Sequence, residues 1–68
     1  MPMVLQDING QCMITTGDTN YRYWSGTTWI EPAYAAMHFA EKAQAEAYIE
    51  QHREEMAQEA AAQGWFKW

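Results

Sequence analysis

Only one cysteine, Cys12, occurs among the 68 residues. A lone cysteine excludes an internal disulfide and any multi-cysteine zinc centre. Basic residues are almost as scarce: four Lys and Arg stand against nine Asp and Glu, for a net charge of −5. Neutralising phosphates requires clustered Lys and Arg, so direct nucleic-acid binding is not expected. The same sign opposes docking on an anionic membrane. No apolar run approaches the roughly 18 residues of a membrane span, and no charged start leads into an apolar stretch. Neither a transmembrane segment nor a signal peptide is therefore expected, and the expected compartment is the cytoplasm. Ser25, the single serine, lacks the Gly-x-Ser-x-Gly setting of an activated nucleophile. Cys12 has no basic neighbour to lower its thiol pKa. His38, His52 and Cys12 fall in no metal-ligand spacing. The expectation is a non-enzymatic protein with no metal and no cofactor.

Bulky aromatics, by contrast, are abundant. They make up 15% of the chain, with four tryptophans and four tyrosines. A chain this short buries only about 60% of the surface its unfolded form exposes, so a few large rings must supply most of the core. One domain over residues 1–68 is all that this length supports.

The composition changes near residue 32, from β- and turn-formers to Ala, Glu and Gln. Met3–Ile8 and Gln11–Thr16 flank Asn9-Gly10, a pair that tolerates the positive φ of a type I′ hairpin turn. Gly17-Asp18-Thr19-Asn20 and Ser25-Gly26-Thr27 are further turn signals. They bound a third strand, Tyr21-Arg22-Tyr23-Trp24, and a short fourth, Thr28-Trp29-Ile30. Pro32 can open one short helical turn, and Met37-His38-Phe39 reads as a short strand or as the approach to a helix.

From Ala40 to about Gln63 there is no Gly or Pro, and helix formers fill nearly every position. Ala45, Tyr48, Ile49, His52, Met56 and Ala60 recur at steps of three and four, marking a buried stripe. Gly64 falls where a left-handed C-cap residue belongs. The expected fold is α+β: an antiparallel β-meander of three to four strands (residues 4–30), packed against one long C-terminal helix (40–63), with an aromatic tail (64–68). A straight rod of roughly 36 Å would outrun so small a sheet, so the second half of the helix is expected to project or to meet a partner.

Two features carry functional weight. Glu46, Glu50 and Glu54 repeat at i, i+4, i+8, and Glu55 and Glu59 form another such pair. Like charges at this spacing destabilise a helix by a few tenths of a kcal/mol per pair. Toward the C-terminus the helix dipole adds to that cost. The carboxylates are either a solvated face or a surface that meets a basic groove. Trp65, Phe66 and Trp68 crowd the last four positions, and exposing them costs roughly 25 cal/mol per Å² of apolar surface. They are expected to dock on the chain itself, on a second copy or on a target. Trp is also enriched at interface hot spots.

The meander, followed by Trp29-Ile30-Glu31-Pro32, Ala36-x-x-Phe39 and Ala45-x-x-Tyr48-Ile49, resembles small accessory proteins of phages and prophages over residues 4–52. In size, acidity and layout it resembles the anti-CRISPR inhibitors among them. The resemblance implies an inhibitor of a basic, nucleic-acid-handling host protein, such as a CRISPR effector complex. Glu46, Glu50, Glu54, Glu55, Glu59, Trp65, Phe66 and Trp68 are the candidate contact residues. The other expectation is a structural or assembly protein that homodimerises through its long helix and aromatic tail.

Overall fold

The computed structural model describes residues 2–16 and 22–64. Four short strands, β1 (Met3–Gln6), β2 (Cys12–Thr15), β3 (Tyr23–Trp24) and β4 (Trp29–Ile30), pair antiparallel in the order β1-β2-β3-β4. A single 3₁₀ turn at Ala33–Ala35 precedes the helix α1, Lys42–Ala62. This is the expected α+β meander with a long C-terminal helix. The Gly17–Asn20 turn signal, Tyr21 and the Trp65–Trp68 tail lie outside the described residues.

The first hairpin forms where Asn9-Gly10 places it, but with a different turn. Asp7 N–H donates to Gln11 O at 2.8 Å, and Gly10 N–H donates to Asp7 O at 3.0 Å. Gly10 alone takes a positive φ, at +84°, since no non-glycine residue does so among the described ones. This is the three-residue loop built from a type I turn and a glycine bulge, not a two-residue type I′ turn. Asp7 explains the choice. Its Oδ1 accepts from the N–H groups of Asn9 (2.8 Å) and Gln11 (3.0 Å), satisfying turn donors with a side chain. Ile8, which reads as the end of the first strand, becomes the tip of the loop and is wholly exposed.

A Cβ at Gly10 would meet nothing closer than Gln6 Nε2 at 3.9 Å, so the obstacle to substitution is backbone strain alone. Gly10→Val is expected to cost about 1–2 kcal/mol, the usual penalty for an L side chain in the left-handed region. A thermal melt followed by circular dichroism checks this, and an unchanged Tm would contradict the glycine bulge.

All four residues of β2 are buried. Cys12 and Ile14 join the core beneath the helix, with Val4 of β1 packed against it. Trp24 and Trp29 complete the sheet's contribution, with ring centroids 5.1 Å apart in an edge-to-face arrangement. The β3–β4 turn is fastened by Ser25, whose hydroxyl donates to Thr28 O (2.9 Å) and accepts from Thr28 N–H (3.2 Å). The single serine is thus occupied as a turn staple. Phe39 exchanges two 2.8 Å backbone bonds with Cys12, and Met37 N–H donates to Trp24 O at 2.9 Å. The Met37–Phe39 segment therefore joins β2 and β3 just before the helix begins.

α1 opens on Glu41, whose N–H donates to Gln44 Oε1 at 3.2 Å, one arm of a capping box. It closes at Gly64, whose φ of +88° and N–H bond to Ala61 O (3.0 Å) make it the expected left-handed terminator. Ala45, Ile49, Met56 and Ala60 of the stripe are buried, whereas Tyr48 and His52 lie half-buried.

The expectation of a projecting second half is not met. The helix departs from helical geometry at His52 (φ −118°, ψ 17°), and beyond this kink it bonds to Arg22, Thr28 and Trp29. Met56 is fully buried, and its carbonyl accepts from the Trp29 indole at 3.1 Å. Thr28 Oγ1 donates to Glu59 Oε1 at 2.7 Å. The Gln63 amide nitrogen donates to Thr28 Oγ1 (2.8 Å) and Trp29 O (3.1 Å), while its oxygen accepts from Arg22 Nη1 at 3.0 Å. A straight rod would leave the sheet, whereas a kinked one follows it and reaches these polar groups.

Candidate interaction surface

Residues on an α-helix advance by roughly 100° each, so members of an i, i+4 row drift by only about 40° per step. Glu46 and Glu50 thus climb along one side of α1, Glu54 follows beyond the His52 kink, and all three are exposed. Each step of four residues rises about 6 Å along the axis. Glu55 and Glu59 lie on the opposite flank, beside the buried stripe. The five carboxylates do not form one face.

Their surroundings divide them further. Glu50 Oε1 accepts from Arg53 Nη2 at 2.7 Å, an i, i+3 pair. Both groups are well exposed, so this pair contributes only a few tenths of a kcal/mol. No ion pair joins Lys42 to Glu46 among the described residues. Glu55 sits 3.7 Å from His52 Nδ1, and the His52 ring stacks on Tyr48 with centroids 4.1 Å apart. The Tyr48 hydroxyl in turn accepts from the Trp24 indole at 3.0 Å. Glu59 is half-buried and turned inward to Thr28. Glu59 thus differs from the other four, because its carboxylate fastens the helix to the sheet rather than standing free in solvent.

Glu46 and Glu54 make no ion pair or hydrogen bond among the described residues. With Glu50 between them, they present three carboxylates on a helix anchored on both sides of its kink. Trp65, Phe66 and Trp68 lie outside the described residues, so that half of the candidate set has no geometry to set beside the acidic row.

Three apolar side chains that sequence reading did not single out are exposed: Ile8, Tyr34 and Met3. Ile8 reads from sequence as a strand residue, and only the longer loop built on Asp7 turns it outward. Among the described residues, no group of three or more His, Cys, Asp or Glu side chains is placed to hold a metal ion, and Cys12 is buried. Among the described residues, no helix is long and apolar enough to cross a membrane. No family model, curated protein or solved structure matches the chain.

Proposed function

We propose that this protein is a small, non-enzymatic, acidic inhibitor of the phage type. It would bind a basic nucleic-acid-handling host protein and deny it its substrate. The observation that carries this reading is the exposed Glu46–Glu50–Glu54 row on a helix held at both ends. Backbone order matters because a helix that is already formed loses little backbone freedom on binding. Standing where phosphates would stand, they compete for the same Lys and Arg side chains and share the salt sensitivity of phosphate contacts. A CRISPR effector complex is the narrower form of this target, suggested by the resemblance in size, acidity and layout.

The alternative, homodimeric assembly through the helix, has less support. The apolar stripe it would use is covered by the chain's own sheet.

Converting Glu46, Glu50 and Glu54 to Gln removes three of the negative charges behind the net −5 while preserving size and helix propensity. The variant is expected to melt close to the wild-type temperature, because relief of like-charge repulsion offsets the loss of the Glu50–Arg53 pair. It is expected to lose capture of its host partner, most clearly at low salt. Glu59→Gln should behave oppositely, weakening the Thr28 contact and stability by about 1 kcal/mol while leaving capture intact. Affinity capture from host lysate at two salt concentrations, followed by displacement with added nucleic acid, measures both. Equal capture by wild type and the triple variant at every salt concentration would reduce the acidic row to a solvated surface.

A further inference from the structure

The two edges of the sheet are finished differently. At the β4 edge, the Gln63 side chain donates to Trp29 O at 3.1 Å, so the helix terminus closes the strand. At the β1 edge no equivalent contact exists among the described residues. Which groups face outward there follows from the register. Antiparallel pairs alternate between those that exchange both backbone bonds and those that exchange none. Asp7 N–H bonds across to Gln11, whereas Cys12, opposite Gln6, commits its N–H and C=O to Phe39 on its other side. The alternation therefore turns Met3, Leu5 and Asp7 toward β2. It turns the N–H and C=O groups of Val4 and Gln6 away from the sheet, where they meet no partner among the described residues.

We infer that this edge is a homodimerisation site, where β1 pairs antiparallel with β1 of a second copy across a two-fold axis at Leu5. The register closes on itself: Val4 of each copy exchanges both bonds with Gln6 of the other, and all four outward groups are satisfied. Leu5 then stands opposite Leu5 of the second copy in a non-bonded pair, where side chains come closest.

Charge does not bar a second copy at this strand, although the protein as a whole repels itself. Residues 2–6 contain no ionisable side chain, although the chain carries −5 overall. In this register Asp7 opposes Met3 of the second copy and not its own equivalent, so no like charges meet. Native sheets commonly guard exposed edges with Lys or with proline inside the strand, and Val4, Leu5 and Gln6 supply neither. Half-exposed Met3 shares the outer face of β1 with Leu5, adding apolar surface that pairing would cover. Four paired residues bury far less than the roughly 1,200 Å² of a standard interface, so the association is weak and concentration-dependent. This inference stands apart from the acidic row on the helix and does not depend on it.

Cysteine crosslinking tests the register. Leu5→Cys places two thiols face to face on the axis. Met3→Cys, at a more exposed site, places its thiol opposite Asp7. Under oxidised glutathione the Leu5→Cys protein is expected to form a disulfide-linked dimer on the order of tenfold faster than Met3→Cys, because pairing raises the effective thiol concentration. The wild type, with Cys12 buried, should remain uncrosslinked. Sedimentation of the wild type should show its average mass rising with concentration, and melts of both variants should confirm that each is folded. Faster crosslinking of the more exposed Met3→Cys, or a monomer at every concentration, overturns the proposal. So does a Leu5→Cys protein that stays uncrosslinked while an added extended peptide occupies the edge.

Discussion

Trp24→Ala is expected to leave the chain unfolded rather than merely less stable. Trp24 is wholly buried, meets Trp29 edge-to-face and donates its indole hydrogen to the Tyr48 hydroxyl at 3.0 Å. Truncating a buried Trp to Ala costs about 3–5 kcal/mol, through lost burial and the cavity left behind. A single core in a chain of this size rarely supplies more than about 3–5 kcal/mol in total, so the loss matches the whole margin. Near-ultraviolet circular dichroism and a denaturant titration should show no native baseline. Two milder variants separate the terms. Trp24→Phe keeps an aromatic ring but removes the donor. Tyr48→Phe keeps Trp24 in place and leaves its buried N–H unpaired, for roughly 1–3 kcal/mol. A cooperative Trp24→Ala transition near the wild-type midpoint would mean that the two tryptophans do not form the centre of the core.

Met56→Ala has the next largest expected effect and addresses the second half of the helix. On a projecting helix this change would stabilise slightly, since Ala is the better helix former. In the docked, kinked helix Met56 is fully buried, and truncation is expected to cost about 2–5 kcal/mol. At about 4–8 °C of Tm per kcal/mol for a domain of this size, the melt should fall by roughly 8 °C or more. Gln58→Ala, on the exposed side of the same turn, is the control, with an expected change within about 0.5 kcal/mol. Equal melting temperatures for the two variants would return the helix to solvent.

Much of the architecture was legible because its causes are local. Asn9-Gly10 marked the hairpin because Gly10 supplies the one positive φ that the loop requires, and Gly64 marked the helix end for the same reason. The helix itself followed from an uninterrupted run of strong formers, and Ala45, Ile49, Met56 and Ala60 were identifiable as its buried stripe by spacing alone. The Glu50–Arg53 pair is likewise local, three residues apart and just under one turn of helix.

What sequence reading missed lies in contacts between distant residues, or in competition between two local solutions. Asp7 decided the hairpin turn by offering a side-chain acceptor to two loop donors, a choice that the Asn-Gly signature does not encode. The docking of the helix terminus rests on pairs 27 residues apart (Trp29 and Met56), 31 apart (Thr28 and Glu59) and 41 apart (Arg22 and Gln63). Such pairs exist only once the sheet and the His52 kink have set the path of the helix. The same geometry divided the carboxylates, turning Glu59 inward while Glu46, Glu50 and Glu54 stay in solvent. Sequence by itself determined an acidic, tryptophan-rich meander and helix, because propensity, turn chemistry and net charge are properties of neighbouring residues or of simple sums. Which glutamates face outward, where the helix bends and which sheet edge stays open were decided by tertiary structure, because each depends on what the folded chain brings alongside.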